Sequence, residues 1–155
     1  MKSLNAILLW ISVGFAVIAG CGGGPKRPDG MPELYKTTIT VTQADSPLAD
    51  AMVVLKLANG SQSQWYSGGV TDANGVVTVS TQGDFPGAPA GNYKVLVSKT
   101  ATEPNPKDSE RNLTFDMVEP QYANVARTPL EIEVKSGLEN AFTLDVGPAS
   151  KKEVL

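Results

Sequence analysis

Residues 70–81, VTDANGVVTVST, decide how the rest of the chain reads. Asp72-Ala73-Asn74-Gly75 sets side chains that hydrogen-bond their own backbone ahead of a residue that takes positive φ without steric cost, so a tight turn is predicted there. A strand follows it. Val77 and Val79 fall on one face and Thr78 and Ser80 on the other, the period of two that marks a sheet buried on one side. Asp72 and Asn74 are also hard oxygen donors of the kind calcium takes. Gly75 arrives too early for an EF-type loop and no acidic residue closes it, so the two side chains are assigned to the turn and no metal is expected.

Outward from this stretch the same alternation recurs. Residues 36–42, KTTITVT, place Thr37, Ile39 and Val41 on one face. After a turn around Pro47, Ala51, Val53, Leu55 and Leu57 alternate with Met52, Val54 and Lys56; apolar on both faces over part of its length, this second strand is expected to be central. A polar turn at 59–64, then Trp65, Tyr66 and Gly68-Gly69, lead into the opening stretch. Residues 81–90 are rich in glycine and proline, and 91–98, GNYKVLVS, give a strand with Tyr93, Val95 and Val97 facing in.

Between Thr100 and Pro129 regularity fades around Pro104, Pro106, Pro120 and Pro129. A loop that long in a compact domain invites a functional reading, with 111–118 holding a short strand or a helical turn. Residues 131–135 and 141–146 alternate again and are expected to close the domain as a hairpin. No stretch of the mature chain has helical periodicity, and there is no internal repeat. About seven short strands with closely spaced turns predict an all-β fold, a single antiparallel β-sandwich.

The amino-terminal segment has a different character. Met1-Lys2-Ser3 is positive, and residues 4–18 are almost wholly apolar, a signal-peptide profile; the rival, a transmembrane helix, needs ~20 apolar residues and the run ends early. Ile18-Ala19-Gly20-Cys21 is similar to the bacterial lipobox, which implies cleavage before Cys21, acylation of its thiol and anchoring of the chain by lipid. With one cysteine in the sequence no internal disulfide is possible, and the alternative for Cys21 is a buried thiol. Gly22 rather than aspartate after the cysteine leans towards the outer membrane. The expected layout is a lipoprotein signal peptide at 1–20, a Gly/Pro-rich tether at 21–32, the sandwich at 33–147 and a tail at 148–155.

Pro47-Leu48-Ala49-Asp50-Ala51-Met52-Val53, the Thr71-Asp72-Ala73-Asn74-Gly75 turn and Gly91-Asn92-Tyr93-Lys94-Val95-Leu96-Val97 together resemble the carboxypeptidase regulatory-like family. The resemblance runs from Lys36 to Val146 and includes Tyr122-Ala123-Asn124 and Thr128-Pro129-Leu130. It implies a transthyretin-like, Ig-like Greek-key sandwich and says more about fold than about activity. This sequence departs from the pattern at Val77, where an aromatic is frequent, and at Asp50, where glycine is.

The chemistry the sequence lacks narrows its function. It holds no histidine, so no imidazole base, histidine metal ligand or Ser-His-Asp arrangement exists, and neither zinc peptidase chemistry nor that of the transthyretin-like purine hydrolases is carried over. Paired carboxylates could hydrolyse a glycoside, but Glu131 and Glu133 share the outward face of a strand, while Glu103, Asp108, Glu110 and Asp116 lie among loop charges. Lys36 shares parity with outward threonines, so it is not the buried lysine that a Lys-Asn isopeptide bond requires. The net charge of -3 offers no basic footprint for nucleic acid. Trp65, Tyr66 and Tyr122 are the candidate binding surface, since aromatic faces in small-residue loops stack on sugars or fill a partner's pocket; the alternative is that one of Trp65 and Tyr66 covers the sandwich end, and Tyr122 is a similar case. The expected protein is a lipid-anchored, non-enzymatic envelope module without cofactor, binding protein or polysaccharide, or else a spacer domain without a ligand.

Overall fold

The turn at 72–75 forms, and Asp72 builds it twice over. Its Oδ1 accepts the N–H groups of Asn74 at 2.8 Å and Val76 at 2.9 Å, while Gly75, at φ 72°, donates to the Asp72 carbonyl at 2.9 Å. A Cβ on Gly75 would lie 2.5 Å from the Val41 carbonyl oxygen, so glycine is required both by the backbone angle and by the neighbouring strand.

This computed structural model describes residues 25–154, and the segment carrying Cys21 and the expected signal peptide lies outside the described residues. Fifteen short strands form rather than about seven: β1 (Leu34–Tyr35), β2 (Thr37–Gln43), β3 (Ser46–Pro47), β4 (Met52–Leu57), β5 (Ser67–Val70), β6 (Val76–Thr78), β7 (Ser80–Thr81), β8 (Phe85–Pro86), β9 (Ala88–Pro89), β10 (Gly91–Ser98), β11 (Thr100–Asn105), β12 (Asp108–Asp116), β13 (Glu131–Val134), β14 (Asn140–Asp145) and β15 (Lys152–Glu153). No helix occurs among the described residues, in keeping with the all-β expectation.

One sheet has the order β13-β10-β4-β5-β7-β8, and a second is centred on β2, flanked by β14 on one side and by β3 and β6 on the other. The opening stretch belongs to both. Its first part, β6, pairs with β2, then the chain passes to the other sheet, where β7 pairs with β5. Val79 is the crossing point, fully buried, its N–H on the Thr37 carbonyl at 2.9 Å and its own carbonyl taken by Gly87 at 2.7 Å. A strand that changes sheet makes the corner of a sandwich, and this crossing divides what alternation alone reads as one strand.

Between the sheets lie the residues the alternation selected: Ile39, Val41, Val53, Leu55, Val77, Val79, Tyr93, Val95, Val97, Ile132 and Val134. Each such aliphatic side chain contributes ~1.5–3 kcal/mol on burial. Polar residues inside are matched to backbone: Thr37, Thr71, Thr81 and Thr128 each use the hydroxyl to bond a main-chain carbonyl, and no buried side-chain polar atom is unpaired among the described residues. Asp50 adopts φ 53°, a left-handed backbone held without the glycine best suited to it.

Three expectations are corrected. Residues 131–135 and 141–146 do not form a hairpin: β13 pairs antiparallel with β10 in the first sheet and β14 pairs parallel with β2 in the second. Asn140 makes the crossover, its Oδ1 accepting the Lys135 N–H at 2.8 Å and its amide donating to the Lys135 and Leu138 carbonyls. The span 100–116 is not an irregular loop but a hairpin of β11 and β12. The carboxy-terminal stretch is not only a tail, since β15 pairs with β12 in a three-stranded sheet with β11, separate from the two-stranded β1–β9 pair. Lys36 is exposed as its parity indicates, and its ammonium meets Glu139 at 2.8 Å.

Candidate functional site

A groove of about 630 Å³ opens on the outer face of the larger sheet. Its floor is the outer side of β4 at 55–57, where Lys56 faces outward while Leu55 and Leu57 turn to the core, together with Leu96 on β10. These two strands lie inside the sheet, with β10 between β13 and β4, and β4 between β10 and β5. One wall is the 60–66 loop carrying Trp65 and Tyr66, and the other is 123–125.

Both walls are tied down by backbone. Ser63 Oγ donates to the Trp65 carbonyl and accepts its N–H, each at 3.0 Å, closing a small turn that fixes where the indole starts. The Tyr66 carbonyl accepts the Gln82 N–H at 2.8 Å, and the Gln82 side-chain amide holds the Gln64 carbonyl, so the loop is clamped to the edge of the sheet. Opposite, the Tyr122 carbonyl accepts the Val97 N–H at 3.0 Å and the Thr128 hydroxyl donates to the Val95 carbonyl at 2.8 Å. Those two bonds lay the intervening residues along β10. Asn124 Oδ1 accepts the Ala126 N–H at 2.9 Å and keeps the bend tight.

The three aromatic candidates separate. Trp65 is half-buried and Tyr66 is 59% exposed, and both line the groove. Tyr122 does not: it is only 8% exposed and its ring belongs to the core. Its chain neighbours take the place expected of it, with Val125 47% exposed at the groove wall.

Lys56 is a groove residue that sequence reading passes over as an outward position on an alternating strand. Its ammonium stands 4.9 Å from the centre of the Tyr66 ring, a cation-π geometry. It has no ion-pair partner among the described residues, and no aspartate or glutamate lines the groove. Tyr66 also borders a second, shallower depression of about 370 Å³ over Met52, Val54, Gly68, Gly69 and Val70. Apolar surface therefore continues across the sheet, with Met52 and Val70 each more than half exposed.

The acidic residues weighed for catalysis are dispersed over strand faces and the hairpin. Glu131 pairs with Lys94, Glu133 approaches Lys135 at 3.9 Å, and Glu103 is held by Lys151. Among the described residues no group of three or more aspartate, glutamate, histidine or cysteine side chains is placed to hold a metal ion. Asp72 Oδ1 is committed to two backbone N–H groups, as the turn requires.

Neither a family model nor a curated protein matches the sequence. Among solved structures, the chain is similar to BcpA, the major pilin subunit of Bacillus cereus, in its D312A form, at 16% identity and a TM-score of 0.43, over 79% of this chain and 31% of the pilin. It is also similar to a 9R-lipoxygenase from Cyanothece PCC8801 at 16% identity and a TM-score of 0.37, over 79% of this chain and 18% of that one. The chain thus spans less than a third of the length of either protein.

Proposed function

We propose that this protein is a lipid-anchored, non-enzymatic module of the bacterial cell envelope, of the carboxypeptidase regulatory-like type, that docks protein or polysaccharide in the groove between Trp65, Tyr66 and residues 123–125. The observation that carries the docking role is that half-buried Trp65 and exposed Tyr66 line one concave surface whose walls are both held by hydrogen bonds to backbone. Concave, mostly apolar sites with a few fixed polar groups are where proteins take ligands. Anchoring rests on the lipobox: acylation at Cys21 would tether the domain to the membrane, on the outer membrane or the periplasmic face, with two or more chains holding firmly at ~0.8 kcal/mol per buried methylene.

Cross-linking in intact cells from a photoreactive residue at position 66 should capture an envelope protein or polysaccharide, and Trp65→Ala should reduce the yield while leaving the fold intact. Capture unaffected by Trp65→Ala would remove the groove as the contact surface. Metabolic labelling with a fatty-acid probe should mark the wild-type chain and spare Cys21→Ser; equal labelling of both would end the lipoprotein reading.

A second reading, a spacer domain without a dedicated ligand, is favoured by the parallel β14–β2 ladder. It joins Thr37 to Asn140 and Thr42 to Asp145 in continuous register, and backbone bonds from Asn140 to Lys36 and from Val146 to Thr42 extend it. Tension along the chain would shear these bonds together rather than one after another. Pulling the chain from its ends should show one cooperative unfolding event if it bears load; stepwise yielding would count against the spacer.

A further inference from the structure

We propose that the groove takes an acidic glycan, with sugar rings lying against Trp65 and Tyr66 and a ring carboxylate on the Lys56 ammonium. The inference rests on the groove being a docking site and names the chemistry that fits it. Lys56 and Lys94 stand directly opposite each other in the β4–β10 ladder, on the outer face of the sheet. Like charges so placed repel, and the fold neutralises only one: Lys94 is paired with Glu131 and reaches the Thr128 carbonyl at 3.4 Å. Lys56 has only the face of Tyr66 beneath its ammonium. In a chain of net charge -3 the groove is therefore a local cationic site with no acid of its own.

The form of the groove favours a sugar over a peptide. Extended peptides bind sheets by adding backbone hydrogen bonds at a free edge, and β10 and β4 lie inside the sheet, β5 covering β4 as far as Leu55, so only Lys56 and Leu57 lack a strand on that side, too short an edge for an added strand. What the walls present instead are aromatic faces beside Ser61, Gln62 and Asn124, and an amphipathic sugar ring uses both, with its C–H face on an aromatic ring and its hydroxyls on short polar side chains. The carboxylate then makes a charge-assisted hydrogen bond to Lys56.

Calorimetric titration of the full chain in detergent micelles with a uronic-acid tetrasaccharide, and with the same tetrasaccharide reduced at its carboxyls, tests this. The acidic form should bind at least about threefold and up to about tenfold more tightly than the reduced one, and high salt should erase the difference. Lys56→Gln should remove the preference. Lys107→Gln, at the exposed tip of the hairpin, should leave it, and Trp65→Ala should weaken both sugars. Equal binding of the two sugars, or equal effects of the two lysine variants, would overturn the acidic preference while a persisting Trp65 effect kept the groove as a docking site. Lys56-dependent binding of an acidic peptide with no binding of either sugar would overturn the glycan, and so would the absence of saturable binding to any of them; the cross-linking from position 66 then decides separately whether the groove docks anything.

Discussion

Replacing Thr71 by valine is expected to cost more stability than any change of equal size on the surface. Thr71 is 2% exposed, and its hydroxyl donates to the Leu48 carbonyl at 2.6 Å and accepts the Ala51 N–H at 2.9 Å. Its backbone joins the same segment, taking the Asp50 N–H and giving its own N–H to the Ala51 carbonyl. One oxygen thus ties the turn before β4 to the stretch that leads into β6. Valine keeps the shape and strands two buried main-chain groups, each costing about 1–3 kcal/mol, against roughly 1 kcal/mol gained from the extra apolar methyl. The net loss is about 1–5 kcal/mol. Serine keeps the hydroxyl and gives up only a buried methyl, at about 1 kcal/mol. Equilibrium urea unfolding followed by circular dichroism should rank the midpoints Thr, Ser, Val at unchanged slope. A valine variant as stable as the serine one would refute the hydroxyl as the tie.

Gly75→Ala should destabilise by more than about 2 kcal/mol, because φ 72° disfavours any side chain and the new methyl would press on the Val41 carbonyl; a midpoint within error of wild type would sink this. The double change Ala44→Asn with Asp45→Gly should stabilise by about 0.5–2 kcal/mol, since both residues of this two-residue turn hold positive φ, at 49° and 63°, where Asn-Gly is the favoured pair. A lower melting temperature would contradict it. Glu119 supplies the pH dependence. Hydrogen bonds from Lys152 and then Ser150 hold its carboxyl below the ordinary carboxylate value. A folded pKa below the unfolded one gives stability that is complete above the unfolded value and lost as pH falls through the folded one. Acidification should therefore loosen β15, read as falling exchange protection of the Val154 amide, which donates to the Thr114 carbonyl at 2.9 Å. Glu119→Gln should show the weak protection already at neutral pH, and unchanged protection would disprove the coupling.

The parts of the fold legible in the sequence are those where one face is dry. Ile39 and Val41, Val53 and Leu55, and Val95 and Val97 are buried because alternation put them there, and the 72–75 turn announced itself through Asp72 and Gly75. Pairing was not legible. Residues 131–134 and 140–145 alternate as a hairpin would, and nothing local says that Asn140 spends its amide on the Lys135 and Leu138 carbonyls and turns the chain into the other sheet. The β11–β12 hairpin stayed hidden for the opposite reason. Its cross-strand pairs, Ala101 with Phe115 and Glu103 with Leu113, mix charge with apolar surface because neither face is sealed in the core. Pro104 is tolerated there because β11 is an edge strand.

Legibility of the candidate site failed along the same line. An aromatic in a polar loop reads alike whether it turns outward or inward, and Tyr66 and Tyr122 took opposite courses: the Tyr66 loop is held to the sheet edge by Gln82, while Tyr122 sits under a segment bonded along β10. Lys56 was invisible for a different reason. Its parity marks it correctly as outward, but an outward lysine on a strand is ordinarily solvated and paired. Its meaning comes from what stands across the ladder, a second lysine already neutralised by Glu131, and from a wall of aromatic side chains delivered by a loop one turn further along the chain. Both are facts of pairing, and pairing is what periodicity cannot supply. A lone positive charge among aromatics therefore emerges only once β4 and β10 are in register, which is why Lys56→Gln tests the charge preference of the groove while loss of the Trp65 ring tests the groove itself.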